Sequence, residues 1–430
     1  MVADEGHLHP SADRISASMA DFKFLHAADL HLDSPLRGLE ADSTAPAERI
    51  RNATRKALGY LVDLAIEQNV AFVLIAGDIY DGDWLDFGTG RFFSNQMRRL
   101  TQTGIPVFTI RGNHDAANRM TRSLHMPHVI TFDHDRAHTH RLEALGVAIH
   151  GQSFADQAIL EDLSKDYPRP IDGLFNIGLL HTSAEGYAAH DRYAPCDVQR
   201  LKSHGYDYWA LGHVHERQEL SQDPWIVFPG NLQGRHIGET GPKGASLVTV
   251  AGNRVQSVEH RVLDDFRWTH VEVDLDGAPD EAEAMTRVQS ALEAALQDAS
   301  PLHLAVRVTL KGATPAHAGL SGDGLRDKVL NEAHGLPGER RLWLEAVKLR
   351  THPPALAVRP DNLGRLLTEI DALAAAPPPD LLGEWPSVLY AKLREALPEE
   401  HPLHASVNGD LTAIIERARL RLEAALAGHT

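Results

Sequence analysis

The 430-residue sequence contains a single cysteine, Cys196, and no apolar run close to the roughly 20 residues that cross a bilayer. One cysteine excludes an intrachain disulfide framework and is typical of a reducing compartment. The first residues are polar and lack the apolar core of a signal peptide. We therefore expect a soluble, cytoplasmic chain without membrane contact, with a disordered tail over residues 1–20.

Basic residues are also in deficit. The chain has 42 Lys and Arg residues against 59 Asp and Glu residues, a formal net charge of −17. This deficit argues against a protein that coats nucleic acid by charge alone, but it leaves open an enzyme with a local basic track. Histidine is abundant, at 26 residues. The informative question is which histidines cluster with other ligand types.

Short apolar runs alternate with helix-like stretches through the first two thirds of the sequence, which predicts an α/β fold. The predicted strands are 22–27, 71–76, 105–110, 147–150, 175–180, 208–211, 225–228, 246–250 and 255–261. Helices are predicted at about 45–68 and 91–102. From about Asp264 the pattern predicts a smaller strand–helix–strand–helix–strand domain, with strands at 269–275, 302–310 and 342–349 and its first helix at 280–297.

The domain organisation follows from these changes of pattern. We predict a tail at 1–20, a main domain at 21–263, a smaller α/β domain at 264–380 and a C-terminal helical segment at 381–430. The proline-rich stretch at 374–380 is a linker or a helix stop. Apolar residues at helical spacing over 411–426 predict an amphipathic helix, which packs on its own domain or docks on a partner.

Five polar clusters stand at or just beyond predicted strand ends. They are Asp29-Leu-His31, Gly77-Asp78-Ile-Tyr-Asp81, Gly112-Asn113-His114-Asp115, His181, and Gly212-His213-Val-His215. Ligands of α/β sheets bind at the carboxyl ends of the strands, so the clusters are expected to share one rim. Because alternate residues of a strand point the same way, Asp29 and His31 are expected to reach one metal ion together.

Seven of these side chains form a mixed oxygen and nitrogen donor set without a thiolate: Asp29, His31, Asp78, Asn113, His181, His213 and His215. Such a set suits Mn²⁺, Fe²⁺ or Zn²⁺. Seven ligands are too many for one open tetrahedral site and suit two ions that share a carboxylate. Two ions about 3.5–4 Å apart polarise a phosphate and generate a hydroxide nucleophile near neutral pH. The residues therefore predict two-metal phosphoester hydrolysis.

The order of the five motifs resembles the calcineurin-like metallophosphoesterases. The phrases "DLHLDSPLRGL", "AGDIYDGDW", "YDYWALGHVH" and "FPGNLQGRHIGE" resemble their bacterial DNA-repair exonuclease branch, the YhaO-like relatives of the SbcD nuclease subunit. The resemblance covers about residues 22–262 and implies an αββα sandwich. Beyond Asp264 only the general layout of an α/β capping domain is similar.

The resemblance also implies a role for each motif residue. Asp29, His31 and His215 would hold the first metal ion; Asn113, His181 and His213 would hold the second; Asp78 would bridge. His114 would assist departure of the leaving oxygen, with Asp115 orienting its ring. Some relatives carry a histidine where this chain has Asp81, so a strand-guiding role at that position is in doubt.

Further residues are assigned from their positions beside the motifs. Arg111, Arg235 and His236 are candidates for substrate binding, and Arg119, Arg122 and Lys243 also flank the motifs; the alternative for each charge is a solvated surface group. Asp33 and Asp83 match no ligand position. Cys196 is predicted to be a buried structural thiol, and His125, His134, His138 and His140 are assigned to the surface.

These observations predict a Mn²⁺-dependent DNA exonuclease, a phosphodiesterase that acts in DNA repair. One alternative is a metallophosphoesterase for a small phosphoester, which the acidic net charge favours. Another is a non-catalytic scaffold subunit, which the complete ligand set opposes. Because relatives work beside a coiled-coil ABC-type ATPase, the expected partners are DNA and such an ATPase, with 411–426 as the candidate dock and homodimerisation as a further option.

Overall fold

The computed structural model describes residues 21–34, 52–81, 88–117, 129–184, 194–338, 341–354 and 368–372. The chain folds as two compact units. The first runs to Thr269 and includes Ala299–Ala305, and the second comprises His270–Asp298 and the chain from Val306 onward. No helix within the described ranges is long and apolar enough to cross a membrane.

The described residues form an alternating α/β succession. In chain order the strands are β1 Phe22–Ala27, β2 Phe72–Ala76, β3 Val107–Ile110, β4 Ile130–Thr131, β5 His138–Leu142, β6 Val147–Gly151, β7 Phe175–His181, β8 Tyr208–Gly212, β9 Gln218–Gln222, β10 Trp225–Phe228, β11 Gly244–Ala251, β12 Arg254–Val262, β13 Phe266–Asp274, β14 His303–Ala313 and β15 Leu342–His352. The α-helices are α1 Ala53–Glu67, α2 Gly88–Gln102, α3 Asn113–Ala117, α4 Val198–Ser203, α5 Glu281–Asp298, α6 His317–Leu320 and α7 Leu325–Ala333.

The predicted strands are all present, with ends that differ by a few residues. Three strands lack a counterpart in the prediction, namely β4, β5 and β9. All three lie at or next to a sheet edge and are short or polar, so they bury no continuous apolar face that periodicity could detect. The predicted helix at 45–68 is seen as α1, and residues 45–51 lie outside the described ranges.

Two six-stranded sheets form a sandwich in the first unit. Their strand orders are β12-β11-β1-β2-β3-β4 and β5-β6-β7-β8-β10-β9. Between them lies one aromatic-rich core, in which Phe24 stacks on Phe72 at 5.0 Å and meets the Tyr208 ring edge-on at 5.2 Å. Offset and edge-on aromatic pairs of this kind add about 0.5–1.5 kcal/mol each beyond their buried area.

Helices cover the outer faces of both sheets. The side chains of Leu25 and Val73 point to the face of the sheet opposite the central core and pack against α1 and α2. On the second sheet, Trp209 and Leu211 pack with Leu201 of α4. This gives the predicted αββα architecture, and Cys196 lies buried in the same outer cluster, as predicted.

The site is positioned by parallel strands that end at a shared edge. In the first sheet β1, β2 and β3 run parallel, and in the second sheet β7 runs parallel to β8. The two sheets approach closely there: a Cβ added to Gly212 would lie 1.9 Å from the carbonyl oxygen of Ala76. Only glycine fits at the end of β8, which explains the glycine of the Gly-His-x-His motif.

The second unit is built around the three-stranded sheet β13-β14-β15. The division between the units falls inside β13 and β14. Helix α5 packs on α7, and α7 packs on β15. The predicted strand–helix–strand–helix–strand order is therefore seen. The predicted boundaries at 263/264 and 380/381 stay predictions, and the predicted helix at 411–426 lies outside the described residues.

Candidate metal centre

The segment that follows β1 is not extended, contrary to the alternation argument. Asp29, His31 and Asp33 all have left-handed backbone conformations, with φ of 53°, 42° and 60°. Hydrogen bonds from the amides of Asp29 and His31 to the carbonyl oxygens of Gly77 and Asp78, at 3.1 and 3.0 Å, hold this conformation. Left-handed non-glycine residues are costly and concentrate at functional sites. Asp29 and His31 thus face one point because of this turn, not because of strand periodicity.

The first group of potential ligands is Asp29, His31 and His215. Their donor atoms all lie within 4.8 Å of one another. Nε2 of His31 lies 3.2 Å from Nε2 of His215, which lies 3.9 Å from Oδ1 of Asp29. Side chains that share one ion through bonds of about 2.0–2.2 Å have their donor atoms about 3 Å apart. The spacing therefore suits a common ion.

The second group contains Asp78, His181 and His213, whose donor atoms also lie within 4.8 Å of one another. Nε2 of His181 lies 3.0 Å from Oδ1 of Asn113 and 3.5 Å from Oδ2 of Asp78. Asp78 also groups with His31 and His114, so its carboxylate borders both groups. This is the position that a bridging ligand needs.

The hydrogen bonds around His181 test whether a metal ion fits. Its Nδ1 lies 2.8 Å from the carbonyl oxygen of Ala76, which can only accept, so Nδ1 carries the proton and Nε2 carries the lone pair. That lone pair faces the amide oxygen of Asn113 at 3.0 Å. Two acceptors at this distance repel each other unless a cation lies between them. The arrangement therefore fits a metal ion.

Electrostatics lead to the same conclusion. Burial and the charge of Asp78 raise the pKa of Asp29 well above its ordinary value. Burial lowers the pKa of His31 well below its ordinary value and also lowers the pKa of His181 and of His215. The imidazoles are thus held neutral, the form that ligates metals, while Asp29 and Asp78 repel each other. A divalent ion bound there would offset this repulsion.

His114 lies beside Asp78 and is partly exposed. Its backbone N–H donates to Oδ1 of Asp78 at 3.0 Å, and its Nδ1 lies 3.2 Å from Oδ1 of Asp81. The hydrogen bond to Asp81 raises the pKa of His114 despite partial burial. A protonated imidazole at the rim of a metal group suits proton donation to a leaving oxygen.

The predicted orienting role of Asp115 is wrong in this structure. Asp115 is fully buried, and its carboxylate accepts the backbone N–H groups of Ile79, Tyr80 and Gly112 at 3.1, 3.1 and 3.2 Å. Burial and the Asp78 charge raise its pKa to about 7. The side chain therefore ties the strand end after β2 to the turn before α3. It follows His114 directly in the chain but points into the turn.

Asp81 takes the position that sequence reasoning gave to Asp115. Besides His114, its carboxylate accepts the hydroxyl of Ser34 at 2.5 Å and lies 3.5 Å from the guanidinium of Arg235. Burial would raise the pKa of Asp81, but the hydrogen bonds from His114 and Ser34 outweigh burial and lower the pKa to about 2. In the sequence, the position of Asp81 three residues after Asp78 was the signal that could have indicated its pairing with His114.

Sequence reasoning missed Glu239 altogether. This carboxylate is 7% exposed and accepts Nδ1–H of His215 at 2.8 Å. Burial would raise the pKa of Glu239, but the hydrogen bond from His215 and the charge of Arg235 outweigh it and hold the pKa well below its ordinary value. Its location in the phrase "LQGRHIGE" was the only signal, since 24 residues separate Glu239 from His215 in the chain.

The candidate substrate-binding residues differ in how far contacts within the protein already engage them. The guanidinium of Arg235 is occupied by Glu239 at 3.1 Å and faces Asp81. His236 is partly exposed, 3.4 Å from Glu239, and Arg111 is held through its backbone N–H by Ser153 at 2.9 Å. Lys243 is buried and donates to the carbonyl oxygen of His215 at 2.8 Å, so it does not face a DNA backbone. Substrate contact by Arg111, Arg235 and His236 stays a prediction.

The remaining predicted surface and loop residues are only partly as expected. Asp33 pairs with Arg55 and Thr89 and is a loop residue. His140 is half-buried against Phe108 at 5.0 Å, because it lies on the unpredicted β5. A further group of Asp133, Asp135 and His138 lies at the surface, where a 2.9 Å His138–Asp135 hydrogen bond accounts for its closeness. Asp83, Arg119, Arg122 and His125 lie outside the described ranges.

Comparisons with known proteins agree with this geometry. The family model described as calcineurin-like phosphoesterase matches residues 22–217, and the model of the middle domain of metallophosphoesterase YhaO matches residues 268–352. The uncharacterized metallophosphoesterase YhaO of Bacillus subtilis is 33% identical over 332 residues, covering 76% of this chain and 81% of that protein.

More distant relatives are archaeal proteins named for DNA double-strand break repair. The DNA double-strand break repair protein Mre11 of Aeropyrum pernix is 26% identical, covering 59% of this chain and 64% of its own length. Mre11 of Saccharolobus solfataricus is 25% identical, covering 48% of this chain and 52% of its own length. The chain thus spans about half to two thirds of these archaeal relatives. Among solved structures, a dimetal phosphatase from Danio rerio matches at 13% identity and a TM-score of 0.35, over 54% of this chain and 93% of that one.

Proposed function

The chain belongs to the calcineurin-like metallophosphoesterases, and on that premise we propose that it is a DNA exonuclease that hydrolyses phosphodiester bonds with two divalent metal ions. The observation that carries the proposal is the pair of ligand groups bordered by one carboxylate, Asp78, with the partly exposed His114 beside it. Mn²⁺ is the proposed metal; the donor set of imidazole and oxygen without a thiolate suits it, as it suits Fe²⁺ and Zn²⁺.

The residues of the chain have separate tasks in this proposal. Asp29, His31 and His215 would hold one ion, and Asn113, His181 and His213 would hold the other; Asp78, whose carboxylate borders both groups, would serve both. When bound, two such ions draw electron density from a phosphoryl group and make water a stronger nucleophile. His114 gives a proton to the departing oxygen of the sugar, and Asp81 keeps the ring of His114 turned toward the substrate.

The choice of DNA as substrate is supported by the relatives. The Mre11 proteins of two archaea, which match 48–59% of this chain, are named for DNA double-strand break repair. The net charge of −17 favours the alternative of a small phosphoester. A scaffold without catalysis is the second alternative, and the complete and buried ligand set speaks against it.

We further propose a cytoplasmic location and work beside a coiled-coil ABC-type ATPase. The proposed dock is the segment 381–430, and the test is co-purification of full-length and truncated chains with such an ATPase. Unchanged co-purification after deletion of 381–430 would reject the dock.

A nuclease assay with Mn²⁺ on end-labelled single- and double-stranded DNA tests the main proposal. We expect Asp78→Ala to lose Mn²⁺ binding and hydrolysis together. We expect His114→Ala to bind Mn²⁺ normally and to cleave DNA about 10²–10⁴-fold more slowly. His138→Ala, at the surface group, is the matched control and retains wild-type rates.

A second substrate separates the roles further. Bis(p-nitrophenyl) phosphate has a leaving group that departs without a proton, so His114→Ala is expected to be impaired far less on it than on DNA. An equal loss on both substrates contradicts the assigned role of His114. Hydrolysis of small esters without any cleavage of DNA favours the small-phosphoester alternative, and no hydrolysis of either favours the scaffold.

A further inference from the structure

The carboxylate of Glu239 is surrounded by hydrogen-bond donors. Oε1 lies 2.8 Å from Nδ1 of His215 and 3.1 Å from the guanidinium of Arg235. Oε2 accepts the side-chain amide of Asn231 at 2.9 Å and the backbone N–H of Arg235 at 2.7 Å. Apart from Nδ1 of His215, whose role depends on its tautomer, these groups donate, and each oxygen has at least one of them. The buried carboxylate has no room for a proton of its own and acts only as an acceptor.

An acceptor at Nδ1 decides the tautomer of His215. Nδ1 of His215 lies 2.8 Å from Oε1 of Glu239, which only accepts, and 3.2 Å from the guanidinium of Arg235, which only donates. The shorter contact is the one to the carboxylate, so we assign the proton to Nδ1, and Nε2 then presents its lone pair. This lone pair is directed at Nε2 of His31, 3.2 Å away, and at the carboxylate of Asp29, 3.9 Å away. The bond from Glu239 therefore sets both the ring orientation and the protonation pattern that an ion in the first group needs.

The backbone of His215 is fixed by the same loop. Its carbonyl oxygen accepts Nζ of Lys243 at 2.8 Å and the backbone N–H of Asn231 at 3.3 Å. The buried Nδ1 of His31, by contrast, lies 3.8 Å from Oδ1 of Asp81, which is beyond hydrogen-bond distance, and makes no hydrogen bond to another described residue. Glu239 is thus the carboxylate that holds an imidazole of the first group.

We propose that Glu239 is a positioning residue for the first metal position, which acts by holding the Nδ1–H tautomer and the ring orientation of His215. This inference rests on the proposed dinuclear site. Through Glu239, the loop after β10 controls the affinity of one of the two positions for a metal ion. Carboxylates that hold ligand histidines typically change metal affinity or activity by about 10–100-fold when they are replaced.

Metal titration of the metal-free full-length chain tests the proposal without DNA. Calorimetry with Mn²⁺ is expected to show two bound ions in the wild type, and Glu239→Gln is expected to weaken one of them by about 10–100-fold. Combined with His215→Ala, the same change is expected to add nothing. A Glu239→Gln titration that superimposes on the wild type overturns the proposal, and equal weakening of both ions in a folded variant overturns its assignment to the first position.

Glu345→Gln is the matched control. Glu345 is also a largely buried carboxylate paired with an arginine, Arg307, but it belongs to the second unit. It is expected to leave both Mn²⁺ affinities unchanged. A Glu345→Gln variant with the same loss as Glu239→Gln, at equal unfolding midpoints, shows a general effect of a buried charge and overturns the proposal.

Nitrogen NMR of the metal-free wild type, labelled at histidine, measures the tautomer of His215 directly. This test does not depend on the folding of a Glu239 variant. The resonances of His215, assigned by their absence in His215→Ala, are expected to show a protonated Nδ1 and an unprotonated Nε2 at pH 8. A proton on Nε2 overturns the proposal. Two bound Mn²⁺ ions without DNA cleavage refute the proposed nuclease function and leave this inference standing, whereas a wild type that binds no Mn²⁺ refutes both.

Discussion

In the variant Asp115→Ala, three backbone N–H groups lose their shared side-chain acceptor in a fully buried place. They belong to Ile79, Tyr80 and Gly112, and their nitrogens lie 3.1, 3.1 and 3.2 Å from the carboxylate. Alanine offers no acceptor, and the cavity that it leaves is small. The strand end that carries Asp78 and the turn that carries Asn113 then lose these links and keep the bond from the backbone N–H of His114 to Asp78.

The expected loss of stability follows from these bonds. A buried donor left without an acceptor costs about 1–3 kcal/mol, and water that enters the cavity recovers part of this. Three donors together give a loss of about 3–5 kcal/mol in the free energy of unfolding. At roughly 2–4 °C per kcal/mol for a domain of this size, the melting temperature of the first unit falls by roughly 6–20 °C.

Calorimetry of the metal-free full-length chain measures this loss. Asp115→Asn keeps the shape and one acceptor oxygen, so its melting temperature is expected between those of the wild type and Asp115→Ala. His114→Ala removes a partly exposed side chain and is expected to melt within a few degrees of the wild type. A variant Asp115→Ala that melts like the wild type but has lost DNA hydrolysis would refute this reasoning and restore the role of orienting His114.

Three further outcomes are expected. Asp81→Asn should slow DNA hydrolysis at least about tenfold with little loss of stability, and in a His114→Ala background it should have no further effect on the rate; additive losses in kinetic assays would contradict this pairing. Gly212→Ala should reduce the folded yield sharply, because its Cβ would lie 1.9 Å from the carbonyl oxygen of Ala76, whereas Gly59→Ala, whose Cβ would meet no atom within 4 Å and whose φ is not positive, should cost far less. Burial lowers the pKa of His26 to about 3, so the stability that depends on a neutral His26, up to about 5 kcal/mol, is complete above pH 6.5 and is lost as the pH falls toward 3. Urea denaturation across this range should give a flatter pH profile for His26→Phe, and an unchanged profile would contradict the assignment.

Strands with a buried apolar face were predictable because their periodicity is a local property of the sequence. The strands β1, β7, β8 and β10 begin at the predicted residues, and each is buried along most of its length. Edge strands such as β5 and β9 carry alternating polar residues and have no apolar face to reveal them. They form because a neighbouring strand offers unpaired backbone groups, which a local pattern does not encode.

The composition of the candidate centre was also predictable, since each ligand stands at the end of a strand and strand ends are visible in the sequence. The two potential ligand groups contain Asp29, His31 and His215 on one side and Asp78, His181 and His213 on the other, with Asn113 beside His181. The structure thus brings the predicted side chains together, and their binding of metal ions stays a prediction. The reason given for the first pair was wrong, since left-handed residues and not strand alternation bring Asp29 and His31 together.

What the sequence by itself determined is therefore the fold class and the identity of the donor atoms. Only the tertiary structure decided which carboxylate serves which imidazole: Asp81 pairs with His114, Asp115 binds backbone amides, and Glu239 holds His215. Glu239 and His215 lie 24 positions apart in the chain, and Asp115 and Ile79 lie 36 positions apart. Asp115 and His114 are neighbours in the chain, but their side chains point in different directions. The physical reason is that side-chain direction at a loop depends on backbone torsions and on packing across two sheets, neither of which is encoded by local spacing.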